Sequence, residues 1–256
     1  MRTAIVIPAR YASTRLPAKP LLKSTGKYLI QHVYEQACRA KSARYVIVAT
    51  DDSRVAAAVE GFGGNCVMTR SDHASGTDRV AEVAADLDVD VVVNLQGDEP
   101  EISPDTLDLL PELLEGAPEA PMATLAAPIT SRLQWLNPNV VKVVADDEGR
   151  ALYFSRAPIP CVRDGQPDFA AQPPRFLQHL GLYAYRREFL LQLSKFPPSP
   201  LEEMERLEQL RALAAGAEIR VGLVKHAGCG VDTFEQYQAF VRRYRSAHRI
   251  RAAQAA

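Results

Sequence analysis

The chain has 256 residues, 47% of them hydrophobic and 24% charged, and carries a formal net charge of −1. That length fits one large domain or two small ones with a substantial core, and the composition is ordinary for a globular protein. The near-zero charge argues against a nucleic-acid or membrane-surface protein, and no segment approaches the roughly 18–20 apolar residues of a membrane span. Cys38, Cys66, Cys161 and Cys229 are far apart and form no CxxC pair, so neither a disulfide framework nor a zinc site is expected. Cys38 and Cys66 sit in apolar contexts and read as small core residues. The chain runs from Met1-Arg2-Thr3 straight into an apolar strand, without the long apolar run of a signal peptide, which makes the reducing cytoplasm the expected compartment.

Residues 3–8 are near-continuously apolar, as a strand covered on both faces should be. Leu29, Ile30, Val33, Tyr34 and Ala37 form a helical stripe within 27–40. A second strand is predicted over 44–49, a helix over 53–62 stopped by Gly63-Gly64, and a short strand over 65–68. Val80, Val83, Ala84 and Leu87 mark another helix, and Val91 to Leu95 a fourth strand placed centrally. This alternation implies a parallel sheet with right-handed crossovers. The second half reads differently, with strands over 122–129, 140–146, 152–155 and 180–185 and few long helices between them. Residues 157–178 form a Pro-rich, weakly periodic insertion. Ser199-Pro200-Leu201-Glu202 is a helix start, with Ser at N-cap, Pro at N1 and Glu at N3, and the helix is expected to run to about Ala215. A strand over 219–224, a Gly-rich turn at 228–232 and a last helix from Thr233 complete the chain. The simplest organisation is one domain, 1–256, with an inserted sheet-and-loop region over roughly 121–186.

Three polar clusters fall at predicted strand ends. Pro8 to Pro20 holds three cations, Arg10, Arg15 and Lys19, and three prolines. Open α/β sheets bind ligands at the carboxyl ends of their strands, and a stiff cationic loop there suits a highly anionic ligand such as a triphosphate. It is not a Walker A loop, because the glycines and the Gly-Lys-Ser/Thr ending are missing. Gln96-Gly97-Asp98-Glu99-Pro100 follows the fourth strand. Asp98 there is either a magnesium ligand or a turn carboxylate, and Gly97 allows an unusual backbone angle or a close approach. Asp232, beside Gly228 and Gly230, is either a second metal ligand or, with Thr233, the N-cap of the last helix. Ser71 to Arg79 precedes a helix, so Ser75 or Thr77 caps it while Ser75 and Gly76 could meet the edge of a base. In the second half Arg156, His179, Tyr183, Glu208 and Gln209 are candidates for an acidic sugar, though His179 alone could be structural. Glu202, Glu203, Glu205 and Glu208 could form a solvated helix face. Arg242, Arg243, Arg245, His248, Arg249 and Arg251 read as a solvated basic helix face, since there is no wider basic field.

Taken together, Pro8-Ala9-Arg10-Tyr11-Ala12-Ser13-Thr14-Arg15-Leu16-Pro17, Thr69 to Thr77, Gln96-Gly97-Asp98-Glu99-Pro100 and Tyr153-Phe154-Ser155-Arg156 resemble one family. So do His179-Leu180-Gly181-Leu182-Tyr183, Leu207-Glu208-Gln209-Leu210-Arg211 and Gly230-Val231-Asp232-Thr233. The chain is similar to the 3-deoxy-manno-octulosonate cytidylyltransferases, with these motifs in family order along almost its whole length. The resemblance implies a Rossmann-like nucleotidyltransferase fold, an α/β fold with a mostly parallel mixed sheet, and a homodimer formed partly by the insertion. It implies coupling of CTP and 3-deoxy-D-manno-octulosonate (Kdo) to CMP-Kdo and pyrophosphate in lipopolysaccharide biosynthesis, with Mg2+ and no nucleic-acid or membrane partner. By position, Pro8, Ala9, Arg10, Arg15, Lys19, Ser75 and Gly76 would bind CTP. Asp98 and Asp232 would hold magnesium, and Gln96, Arg156, His179, Tyr183, Glu208 and Gln209 would line the Kdo site. Lys19, Arg15, Asp98 and Asp232 would carry catalysis, with the metal rather than a protein base easing deprotonation of the attacking hydroxyl. Ala18 and Tyr28 depart from the pattern, standing where Gly and Pro are common. A related acid such as 8-amino Kdo or a sialic-type sugar, and a non-catalytic nucleotide-sugar binding module, are the competing readings.

Overall fold

Strand β1 (Thr3–Pro8) is buried along all but its last residue, as its apolar run requires. The computed structural model describes residues 1–12 and 16–254, with side chains through residue 247. After a 3-10 turn at Lys19–Leu21, the chain passes through α1 (Leu29–Ala37), β2 (Ala43–Thr50), α2 (Ser53–Gly61), β3 (Cys66–Met68), α3 (Gly76–Ala85) and β4 (Val91–Asn94). Then come α4 (Pro104–Glu115), β5 (Met122–Pro128), α5 (Arg132–Leu136), β6 (Lys142–Ala145), β7 (Ala151–Ser155) and β8 (Leu177–Arg186). The last elements are α6 (Arg187–Leu193), α7 (Pro200–Glu205), α8 (Gln209–Ala214), β9 (Ile219–Leu223) and α9 (Phe234–Gln254).

Two compact units result. The first comprises Ala4–Asp86, Asn94–Pro104 and Gly228–Ala256. Its strands run in the order β3-β2-β1, with β2 and β3 parallel. Helix α9 packs Tyr237, Phe240 and Val241 against Leu16, Leu29 and Val231 in one apolar cluster. It is also tied to the turn before α1, where the Ser24 amide donates to the Tyr237 hydroxyl at 2.7 Å. These bonds and contacts hold the Gly228–Thr233 turn, which leads into α9, on the same framework as the 3-10 turn.

The second unit comprises Met1–Thr3, Leu87–Val93 and Asp105–Ala227. Here β4, β8, β5 and β9 are neighbours in that order; β5 pairs antiparallel with β8 and parallel with β9. Strands β6 and β7 form an antiparallel pair, and β6 also meets β8. The fold is thus α/β with a mixed sheet, as expected. The insertion over 157–178 has no regular structure until β8 begins at Leu177. It is nevertheless packed: Phe169 and Phe176 meet Trp135 edge-on, and the Trp135 indole donates to the Ile159 carbonyl at 3.2 Å.

Three expectations need correction. The helix expected over 199–215 is two helices, α7 and α8. Its start is as predicted, with a Ser199–Glu202 capping box, but Arg206 takes the left-handed conformation at φ 55°. The Glu202–Arg211 ion pair at 2.5 Å closes the corner. Helix α4 is absent from the predicted elements, although Leu107, Leu110 and Leu114 give it a buried stripe and Pro111 lies inside it. Cys38 is exposed rather than a core residue, since it falls at the C-cap of α1, and Cys66 is only half-buried.

Candidate active site

On the first unit, the segments singled out in the sequence gather at the end of β1. A Cβ on Gly76 would lie 3.5 Å from the Pro8 ring, and one on Gly97 would lie 3.1 Å from the Pro8 carbonyl oxygen. Gly97 has no left-handed backbone angle, so its role there is room for close approach of two backbones. The Ala9 amide donates to Ala49 O at 2.9 Å, and the Arg10 guanidinium reaches the Ser71–Gly76 loop, donating to the His73 carbonyl at 2.8 Å. Ser75 is the N-cap of α3: its hydroxyl accepts from the Asp78 amide while the Asp78 carboxylate accepts from Ser75 N. Gln96, also on this unit, donates from Nε2 to Asn94 Oδ1 at 3.3 Å. The buried Asn94 Nδ2 is left without a protein partner.

Lys19 links the other two clusters. Its ammonium lies 2.7 Å from Asp98 Oδ2 and 3.2 Å from Asp232 Oδ1. Sequence separation of 134 residues (232 − 98) hides this convergence, which the main chain fixes through a Val231 N to Asp98 O bond of 2.8 Å. The capping role at α9 falls to Thr233, whose hydroxyl accepts from Gln236 N at 3.3 Å, and the Asp232 carboxylate turns to Lys19. Gly228 and Gly230 serve space rather than backbone freedom, since neither has a positive φ. A Cβ on either would come within 2.8 Å and 3.0 Å, respectively, of the Glu99 carboxyl oxygens. Burial, reinforced by the Asp98 and Asp232 carboxylates and opposed by Lys19, pushes the Glu99 carboxyl up to about 8.

Two hard oxygen donors that already share one cation fit magnesium, which is usually held by one or two carboxylates plus substrate phosphates. Among the described residues, no group of three or more His, Cys, Asp or Glu side chains is placed to hold a metal without such a ligand. Arg15 lies outside the described residues.

Five of the six predicted sugar residues lie on the second unit, and hydrogen bonds and ring contacts bring most of them together. The Tyr183 hydroxyl donates to Gln209 Oε1 at 2.9 Å, and the His179 ring lies 5.3 Å from that of Tyr183 and 4.9 Å from Phe154. The Thr124 hydroxyl lies 2.6 Å from the Leu182 carbonyl, to which it donates, and 2.9 Å from His179 Nε2, which accepts from the Gly181 amide at 3.3 Å. Burial lowers the His179 pKa to about 3, which makes it a neutral ring. Gln209 Nε2 is buried without a protein partner, an unused donor of the kind a ligand oxygen satisfies. Glu208 is exposed at the start of α8.

Arg156, at the end of β7, is built into the α7 corner. Its Nε donates to Glu205 O at 2.7 Å, and its terminal nitrogens reach Pro138 O at 3.1 Å and Arg206 O at 3.4 Å. Three of its five donors are thus engaged by main chain. The glutamates of this region are not a uniform solvated face: Glu202 is buried against Arg211, and Glu205 accepts from Ser155 Oγ at 2.6 Å and Arg156 N at 3.0 Å. Glu99 and Thr124 were given no site role in the sequence, and Glu205 only a place on a solvated helix face. Thr124 left a trace as the lone polar residue of an apolar strand, whereas nothing separates Glu205 from its exposed neighbours. The C-terminal arginines brace the first unit, Arg243 pairing with Glu101 and Arg245 donating to Ser24 O at 2.8 Å; the side chains of His248, Arg249 and Arg251 lie outside those described.

A family model described as cytidylyltransferase matches residues 4–219. The 3-deoxy-manno-octulosonate cytidylyltransferase of Syntrophobacter fumaroxidans is 54% identical over 94% of this chain and 96% of its own. That of Rhodopirellula baltica is 50% identical over 96% and 100%. Among solved structures, a CMP:2-keto-3-deoxy-manno-octonic acid synthetase complexed with CTP superposes with a TM-score of 0.90 at 46% identity, over 96% of this chain and all of that one. With its motifs, its fold and its full-length relatives in agreement, the chain belongs to the 3-deoxy-manno-octulosonate cytidylyltransferase family.

Proposed function

We propose that this chain couples CTP and Kdo to CMP-Kdo and pyrophosphate. The observation that carries the chemistry is the meeting of Asp98 and Asp232 on one cation, Lys19. The Kdo anomeric hydroxyl attacks the α-phosphorus of CTP, the new P–O bond forms, and pyrophosphate leaves with the electron pair of the bond that breaks. Positioning and charge neutralisation do most of the work in such transfers. Arg10, Arg15 and Lys19 meet the triphosphate; the Lys19 ammonium, on its flexible stem, turns from the carboxylates to phosphate oxygens. Pro8, Ala9, Ser75 and Gly76 form the base side, where the end of β1 meets the start of α3: a Cβ on Gly76 would lie 3.5 Å from the Pro8 ring. Asp98 and Asp232 hold magnesium, which when bound neutralises phosphate charge and acidifies the attacking hydroxyl.

On the sugar side, neutral ligands stand beside two charged ones, Arg156 and Glu208. Gln209 Nε2 offers its unused donor to a sugar oxygen, with the neutral His179 ring and the Tyr183 hydroxyl holding its place. Arg156 meets the Kdo carboxylate with the donors that main chain does not engage, and Glu208 and Gln96 accept from or donate to hydroxyls. The exposed Leu133 and Leu136 of α5 support a homodimer built around the insertion. No described helix is long and apolar enough to cross a membrane; a cytoplasmic enzyme serving lipopolysaccharide biosynthesis is the location and pathway we propose with this reaction.

The test is pyrophosphate release from CTP plus Kdo with and without magnesium, with 8-amino Kdo, N-acetylneuraminate, ATP and UTP in parallel. Release that needs CTP, Kdo and magnesium together is expected. Release only with another acid would change the substrate, and none from folded protein would leave a binding module.

A further inference from the structure

Lys142 has no role in the reaction described above, yet it is fully buried on β6. Its ammonium donates to three main-chain carbonyls: Asn137 O at 3.0 Å, Val140 O at 2.6 Å and Arg156 O at 2.6 Å. Three donors meet three acceptors, so the group is saturated without a carboxylate among its bonds. Burial lowers its pKa, and the nearby Arg156 charge adds to that while Glu205 opposes it. A well-packed apolar side chain commonly serves as well as a buried charge for stability alone, so filling space does not explain an ammonium here. What an ammonium adds is direction, because it gathers carbonyls from two separate segments to one point.

Those segments are the 137–140 turn and the end of β7. The turn is gripped from both sides: Lys142 holds Asn137 O and Val140 O, while the Arg156 guanidinium holds Pro138 O at 3.1 Å. The carbonyl of Arg156 is bound by Lys142 and its amide by the Glu205 carboxylate at 3.0 Å. Both main-chain ends of Arg156 are therefore fixed, as is the turn its guanidinium grips.

We propose that Lys142 is a positioning residue for recognition of the acidic sugar, setting the guanidinium of Arg156 through the Arg156 carbonyl and the 137–140 turn. This rests on the reading of Arg156 as the partner of the sugar carboxylate. The test is a double-mutant cycle on the full chain, with Lys142→Met, Arg156→Gln and the pair, each assayed for KM of Kdo, KM of CTP and kcat. Each single variant is expected to raise the KM for Kdo by about tenfold, the scale of one charge-assisted bond, and to leave that for CTP unchanged. The pair is expected to be no worse than Arg156→Gln alone. Should Lys142→Met fail to fold, Lys142→Gln, whose amide keeps two donors, is measured in its place.

A rise with Arg156→Gln but none with either Lys142 variant would overturn the positioning role and leave the Arg156 reading intact. Equal loss toward both substrates, or additive effects in the pair, would also overturn it, because a purely structural lysine predicts that pattern. No effect of Arg156→Gln on the KM for Kdo would overturn the Arg156 reading, and the proposal with it.

Discussion

In the first unit the functional side chains are ions partly open to solvent: Lys19, Asp98 and Asp232 are 16%, 25% and 40% exposed. In the second, beside Arg156 and Glu208, three are neutral and buried: the His179 ring lies against that of Tyr183, and the Tyr183 hydroxyl donates to Gln209. A triphosphate carries several charges, and on the proposed reading it is met by ions on flexible stems whose pairing can change. A sugar offers hydroxyls that differ little from one compound to the next, and discriminating among them needs donors and acceptors fixed in advance. The difference teaches that one fold handles charge with exchangeable pairs and shape with a preset network.

The sharpest way to break this contrast is Asp98→Asn. If the ionic pair is where magnesium acts, kcat falls by at least about a hundredfold while circular dichroism is unchanged. Near-normal rates would remove the metal from that position. A second comparison uses pH. His179 is neutral in the fold, with its pKa lowered to about 3, and the unfolded chain binds a proton there near pH ~6.5. Its contribution to stability is full above the unfolded value and is lost as pH falls from there toward 3. Its slope is about 1.4 kcal/mol per pH unit. The raised Glu99 carboxyl gives a slope of opposite sign over the same range, so the readout is a difference: from pH 7 to 5 the native chain should lose more stability than His179→Gln, by up to that slope, and a pH-independent difference would refute a buried neutral ring.

Tyr183→Phe removes the hydroxyl that holds Gln209. A rise of about tenfold in the KM for Kdo is expected, with the KM for CTP unmoved. An equal change in both constants would show that the two units do not divide the substrates as proposed. The smallest effect belongs to Ala18, which takes φ 53° just before Lys19. Ala18→Gly relieves the left-handed strain at some entropic cost, for a net gain of about 0.5 kcal/mol in thermal or denaturant melts.

Much of the fold was legible because its signals are local. The apolar runs of β1, β2 and β4 and the Ser75 and Ser199 caps announce themselves within a few residues. The helix break at Arg206 was not, since it depends on bonds from Arg156, 50 residues earlier in sequence. The motifs at Lys19, Asp98 and Asp232 were visible one at a time, while their convergence came only from the packing of α9 and the Val231 amide. Gly228 and Gly230 were legible as a Gly-rich turn, but their service as clearance for Glu99 was not, because it needs the neighbour and not the glycine. Ala18 illustrates the converse: an unusual residue at a position where Gly is common marks a left-handed angle that the structure indeed contains.

The aromatic cluster of the insertion has a practical consequence. The chain has a single tryptophan, and Trp135 is buried between Phe169 and Phe176 in the second unit. Intrinsic indole fluorescence is therefore an optical tag written into one half of the molecule. Excitation at the red edge, where tyrosine does not absorb, follows the insertion alone, whereas far-ultraviolet dichroism averages over every helix. Coincident melting by the two signals would mean that the halves unfold as one cooperative body, and separated transitions would give each half its own stability.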